Sequence, residues 1–138
     1  MVITEIFKSI QGEGTRAGLP CIFVRLTGCN LRCTWCDTAY AFYGGEKISV
    51  DEVLEKVREL GEKGATRVSL VEITGGEPLL QPETPELAER LIAAGYTTMI
   101  ETSGERFVGV LPREVIKIVD VKCPDSGEAD TFDFENLG

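Results

Sequence analysis

The chain has 138 residues, a formal net charge of −9 and no histidine. That length supports one domain spanning residues 1–138 and falls short of a complete barrel, and the missing imidazole excludes Ser-His-Asp triads, Cys-His pairs and histidine-ligated metal hydrolases. The 14 basic residues stand against 23 acidic ones without forming a block interleaved with aromatics, which argues against a nucleic-acid surface; no apolar run reaches the roughly 18 residues that cross a bilayer, and no signal peptide is evident, so a cytoplasmic chain is expected.

An apolar run bounded by turn signals predicts a first strand at Val2–Phe7. Phe7-Lys8-Ser9-Ile10 leads into Gln11-Gly12-Glu13-Gly14, which by its residues alone reads as a solvated turn. A second strand is predicted at Cys21–Leu26, where Arg25 by itself reads as a surface strand residue. Directly after it, Gly28-Cys29-Asn30-Leu31-Arg32-Cys33-Thr34-Trp35-Cys36-Asp37-Thr38 carries a C-x3-C-x2-C array. Three thiolates from one loop suit an iron–sulfur cluster with one iron left open, whereas structural zinc asks for a fourth Cys or His. A disulfide does not suit three closely spaced cysteines in a chain without a secretory signal. Cys21 reads as a core residue of its strand, and Cys123 as a residue packed near a later strand end.

Ser49-Val50-Asp51-Glu52 has capping-box spacing, and Val50, Val53, Leu54, Val57 and Leu60 recur at helical intervals until Gly61 and Gly64. A strand is predicted at Arg67–Thr74, followed by Gly75-Gly76-Glu77-Pro78. Paired glycines let backbone approach a ligand closely, and Glu77 can accept charge-assisted bonds from an ammonium. A second helix is predicted with Thr84 as N-cap, Pro85 in the first turn, Leu87, Ala88, Leu91 and Ile92 on one face and Gly95 at its end. Strands at Thr97–Glu101 and Val115–Val121 follow, each running into a polar segment, Glu101-Thr102-Ser103-Gly104 and Asp120-Val121-Lys122-Cys123-Pro124. This alternation implies an α/β fold with a parallel sheet, right-handed crossovers and its working loops at the carboxyl ends of the strands.

The cysteine array, with Trp35 just before its last cysteine, and Gly75–Pro78 together resemble the radical S-adenosylmethionine (SAM) superfamily. The resemblance implies a partial (βα) barrel of the radical SAM type, incomplete at its C-terminus. It also implies a [4Fe-4S] cluster on Cys29, Cys33 and Cys36, with SAM on its open iron as the source of a 5′-deoxyadenosyl radical. Trp35, Cys36, Asp37, Gly75, Gly76, Glu77, Ser103, Asp120, Val121 and Lys122 are the cofactor contacts it implies, and no side chain is expected to be catalytic in its own right. Phe7–Gly14, Phe23-Val24-Arg25 and Cys36-Asp37-Thr38 narrow the likeness to the 7-carboxy-7-deazaguanine synthases, lyases of queuosine and deazapurine biosynthesis. From that likeness come Ile10, Gln11, Gly12, Glu13, Arg25 and Thr74 as contacts to a carboxytetrahydropterin, Thr38 as ligand of Mg2+, an electron donor such as flavodoxin or ferredoxin, and a homodimer. The family continues past Asp125-Ser126-Gly127 and this chain stops at Gly138, so one wall of the pterin pocket is expected to be missing. Two alternatives stay open on the residues: an activase that places a radical on a partner's glycine, and a non-catalytic iron–sulfur module.

Overall fold

Alternation along the strands sorts the side chains onto two chemically different faces of one sheet. The computed structural model describes all 138 residues. Strands β1 (Val2–Ile10), β2 (Pro20–Leu26), β3 (Glu46–Lys47), β4 (Leu70–Gly75), β5 (Thr97–Thr102) and β6 (Ile116–Val119) are joined by helices α1 (Val50–Glu62) and α2 (Thr84–Ala93) and by short 3-10 turns. The sheet order is β3-β1-β2-β4-β5-β6 and it does not close. From β2 to β6 it is parallel, as expected. β1 and β3 extend it antiparallel, because Gln11–Leu19 returns β1 as a hairpin without a crossover helix.

One register line runs Val24, Ile73, Ile100, with Ile22 beside Val71, and all five are fully buried. They pack in one cluster with Val53 and Val57 of α1 and Leu87, Ala88 and Leu91 of α2. Each large aliphatic side chain buried there contributes about 1.5–3 kcal/mol, so this face supplies the stability. The adjacent line runs Phe7, Phe23, Glu72, Met99, Ile116, with Glu5 beside Arg25 and Arg25 beside Thr74 one step on. That second face carries the charged groups and no helix covers it. No helix is long and apolar enough to cross a membrane.

The boundaries differ from expectation where pairing, not hydropathy, decides them. β1 runs on to Ile10 because Ile10 pairs with Pro20. β4 begins at Leu70, not Arg67, since the preceding Val68 donates its N–H to Gly61 at the end of α1 (2.9 Å). β6 ends at Val119, two residues before the predicted Val121. Thr84 is not the N-cap of α2: Glu83 takes that position, and the Thr84 hydroxyl donates to Pro78 O at 2.6 Å. The capping box on α1 is present as read, with Glu52 N donating to Ser49 Oγ at 3.2 Å and Ser49 N to the Glu52 carboxylate at 2.7 Å. Replacing Ser49 with Ala is therefore expected to cost about 1 kcal/mol of stability, read as a lower urea midpoint with an unchanged m-value.

Candidate functional site

The carboxyl ends of β2, β4 and β5 meet so closely that residue choice there is dictated by space. Gly75 has φ of 142°, and a Cβ on it would lie 2.2 Å from Leu26 O; one on Gly76 would lie 2.2 Å from Gly28 O. The pair thus admits the backbone of β2 and the cysteine loop, where the sequence suggested the approach of a ligand. Gly76 N donates to Leu26 O (3.4 Å) and Glu77 N to Gly28 O (2.9 Å) across this contact.

Glu77 is tied into the same junction. Its side chain is fully buried, and it accepts hydrogen bonds from Thr102 Oγ1 (2.8 Å), Ser103 N (2.9 Å), Ser103 Oγ (2.7 Å) and Leu79 N (3.0 Å). Glu77 therefore fastens the end of β4 to the end of β5, and Ser103 is engaged in the same contact.

The cysteine loop is held from both sides. Gly28 N donates to Ala41 O (2.8 Å), Thr34 N and Oγ1 donate to Ser126 O (3.0 Å) and Asp125 O (2.9 Å), and Arg32 N donates to Glu128 Oε1 (2.6 Å). The Arg32 guanidinium bonds Cys29 O (2.7 Å) and Leu31 O (2.6 Å) and lies 4.3 Å over Phe42. Cys29, Cys33 and Cys36 are free thiols lining one cavity of about 90 Å³ with Gly76, Ser103, Asp120 and Lys122. Three thiols on one cavity are the ligand type an iron–sulfur cluster takes. Burial pushes the Cys29 thiol up; a hydrogen bond from Leu31 opposes this, and the charges of Glu77, Cys33 and Cys36 add to it. Such a site favours a positive centre, and Lys122 lies in it. Burial works to lower the Lys122 pKa, but the hydrogen bond and charge of Asp120, with the nearby Cys33 and Cys29, leave it raised.

Two further hollows adjoin this cavity. One, of about 230 Å³, is lined by Gln11, Gly12, Glu13, Phe23, Arg25, Asp37, Thr38, Glu72, Thr74 and Glu101. Five of the six residues expected to contact a substrate are brought together here; Ile10 is not among them and is 57% exposed. The other, of about 540 Å³, is lined by Trp35, Asp37, Asp120 and Lys122 with Glu13, Cys33, Cys36, Ile118 and Glu101. Val121 and Cys123 are exposed and Cys21 is a buried core residue. A larger hollow of about 720 Å³ between α1 and α2 holds none of the expected residues.

Glu101 lines all three adjoining hollows. Neither it nor Glu72 stood out as a site residue in the sequence. The signal was a glutamate inside an otherwise apolar strand, Leu70-Val71-Glu72-Ile73, a pattern that requires a partner or a purpose. Burial and the charge of Glu101 push Glu72 up to about 7, and burial and the charge of Glu13 raise Glu101. Gln11 bonds Glu72 through Nε2 and accepts from Glu13 N at 3.0 Å through Oε1, so its amide is engaged at both ends. Arg25 Nε donates to Glu5 Oε1 (2.8 Å), and its guanidinium lies 5.8 Å from the Phe7 ring and 5.7 Å from Tyr40. Its terminal nitrogens have no protein partner. Thr38 Oγ1 donates to Asp37 Oδ1 at 2.7 Å on the rim of the same hollow.

Comparison with known proteins accords with this geometry. Residues 23–123 match the model of the Radical SAM superfamily. The chain is 58% identical over 138 residues to a 7-carboxy-7-deazaguanine synthase of Koribacter versatilis, covering 99% of this chain and 59% of that protein. It is 42% identical over 139 residues to one of Thermoplasma acidophilum, covering 99% and 64% respectively. The crystal structure of QueE from Escherichia coli superposes with a TM-score of 0.75 at 31% identity, covering 89% of this chain and 60% of that one. The chain thus spans about three fifths of the length of these relatives.

Removing the Glu77 carboxylate strands several buried donors at once. Glu77→Ala is expected to lose about 2–4 kcal/mol, seen as a lower thermal midpoint, while Glu77→Gln loses less because its amide oxygen keeps part of the acceptor set.

Proposed function

The chain belongs to the Radical SAM superfamily, and on that premise we propose that it serves the ring contraction of 6-carboxy-5,6,7,8-tetrahydropterin to 7-carboxy-7-deazaguanine with release of ammonia. The observation carrying this reading is that Gln11, Gly12, Glu13, Arg25 and Thr74 line one hollow that shares Glu101 with the cysteine-lined cavity. A substrate held in the first would face a radical source held in the second. The names of the relatives from Koribacter versatilis and Thermoplasma acidophilum support the same reaction.

Cys29, Cys33 and Cys36 would hold the [4Fe-4S] cluster. When bound, the cluster supplies the electron that splits SAM into methionine and a 5′-deoxyadenosyl radical. The chain's own groups do the rest by position. Arg25, oriented through Nε by Glu5 and by the Phe7 and Tyr40 rings, presents its terminal nitrogens to the substrate carboxylate as a planar pair that lysine cannot reproduce. Glu13 and Glu101 face the hollow as acceptors for the N–H groups of the aminopyrimidinone edge. Thr38 and Asp37 offer the oxygens a Mg2+ ion needs, with substrate and water completing its shell. Lys122 and Asp120 lie at the cysteine cavity as a charge pair matched to the carboxylate and ammonium of SAM.

Without histidine, protons for the departing ammonia come from Glu, Asp, Lys or water. A one-electron carrier such as flavodoxin or ferredoxin is the proposed reductant. A homodimer and a cytoplasmic setting, where three neighbouring thiols stay reduced, complete the proposal. The activase reading is not favoured, because the relatives that match nearly all of this chain are named 7-carboxy-7-deazaguanine synthases.

Anaerobically reconstituted protein, given SAM, Mg2+, reductant and 6-carboxytetrahydropterin, is expected to yield 7-carboxy-7-deazaguanine by mass spectrometry without net loss of SAM. Cleavage of SAM with no pterin product would overturn the reading. Arg25→Lys is expected to lower kcat/KM about a hundredfold, the loss of charged hydrogen bonds to a carboxylate, with SAM binding to the cluster, followed by EPR, unchanged.

A further inference from the structure

The segment between β1 and β2 forms a wall of the substrate hollow, yet it contains three glycines and is fastened to the sheet by few bonds. Gln11 closes it at the base: Gln11 N donates to Leu19 O (2.9 Å) and Gly18 N to Gln11 O (2.8 Å). Beyond that hairpin closure, its side-chain link to the centre of the sheet is Gln11 Nε2 to Glu72 on β4. Gln11 and Glu72 are each only 3% exposed, so neither makes this contact as a passing surface interaction.

Glu72 lies beside Met99 on the face that also carries Glu101, and both carboxyl groups line the same hollow. Glu101 also accepts from Thr74 Oγ1 at 3.2 Å. The bonds at this floor run from Gln11 to Glu72 and from Thr74 to Glu101. With its Nε2 so fixed, Gln11 must turn Oε1 toward Glu13 N, the 3.0 Å bond observed.

We infer that Glu72 is a positioning residue that holds Gln11 and so sets the Gly12–Gly14 wall of the substrate hollow. Its bearing on pterin binding rests on the function proposed above; its bearing on the wall does not. The groups facing Glu72 are Cys21 and Arg25 from β2, Glu101 from β5, Glu13 from the wall and Asp37 from the cysteine loop. Arg25 is engaged by Glu5, and Cys21, pushed up to about 12 by burial and by Glu72, stays a neutral thiol. Burial first, then the charge of Glu101, raises Glu72 from 4.5 to about 7. A carboxyl group whose folded pKa is raised costs folding stability as pH rises from its unfolded value, and the cost levels off above the folded value. The bond from Gln11 works the other way and favours the ionised carboxylate, so ionisation of Glu72 does not release the wall.

Amide hydrogen exchange across residues 12–18, corrected for intrinsic exchange and measured without substrate, tests this. Glu72→Gln still offers an oxygen to Gln11, so its protection should match that of the unmodified chain within about twofold. Glu72→Ala should lose about tenfold, with α1 and α2 protected as before. With 6-carboxytetrahydropterin as probe, the Glu72→Ala loss should appear as KM raised about tenfold and kcat changed by less than about threefold. Equal protection in all three proteins overturns the inference, as does a Glu72→Gln protein that loses as much protection as Glu72→Ala. If the original chain turns over no pterin, the proposed substrate fails while the exchange result still decides on Glu72.

Discussion

The carboxylate of Glu77 holds the working end of this sheet together. It leaves the end of β4, accepts from Thr102 and Ser103 at the end of β5, and its own N–H reaches Gly28 beyond the end of β2. Three parallel strands therefore finish at one height, which fixes where the cysteine loop starts and where Ser103 lies. A buried carboxylate is costly unless its lone pairs are met by donors; here they are, and the same bonds supply the alignment. The Gly75–Gly76 pair is the steric counterpart, since any larger residue would push β4 away from Leu26 and Gly28.

Around that node the chain divides its labour by strand periodicity. Residues facing α1 and α2 are aliphatic and fully enclosed, and they carry the stability. Those on the opposite face, Arg25, Glu72, Thr74 and Glu101 among them, are polar and partly or wholly withdrawn from water without helices above them. Because successive residues of a strand point to opposite faces, both tasks fit in strands of four to nine residues. A one-residue slip of β4 against β2 would put Ile73 in the site and Glu72 in the core, so the site's chemistry and the fold's register enforce each other.

What could be read in advance was local. The capping box of Ser49 and Glu52 involves residues three apart, and the spacing of Cys29, Cys33 and Cys36 lies within one loop. The helical periods of Val50–Leu60 and Leu87–Ile92 likewise need no knowledge of partners. What escaped depends on register. Glu72 and Glu101 are 29 positions apart, by 101 less 72, and become neighbours only when β4 lies beside β5. That Thr102 and Ser103 surround Glu77 is likewise invisible in its own segment. Thr84 had the side chain of an N-cap, but a fold that brings Pro78 O within 2.6 Å of its hydroxyl gives that hydroxyl other employment.

The acidity of the site raises a physical question for a substrate that bears a carboxylate. Glu13, Asp37, Glu72 and Glu101 line the hollow against Arg25 alone among the cations, and the chain as a whole carries −9. The pterin is not uniformly anionic: its aminopyrimidinone edge presents N–H donors, for which carboxylates are the natural complement. The substrate would thus meet two environments, an acidic one for its donor edge and, at Arg25 and a Mg2+ near Thr38, a cationic one for its carboxylate. A reversed substrate would set its carboxylate against Glu101 and its donors against Arg25. Orientation then follows from charge arrangement instead of from tight enclosure, which suits a polar sheet face that no helix covers.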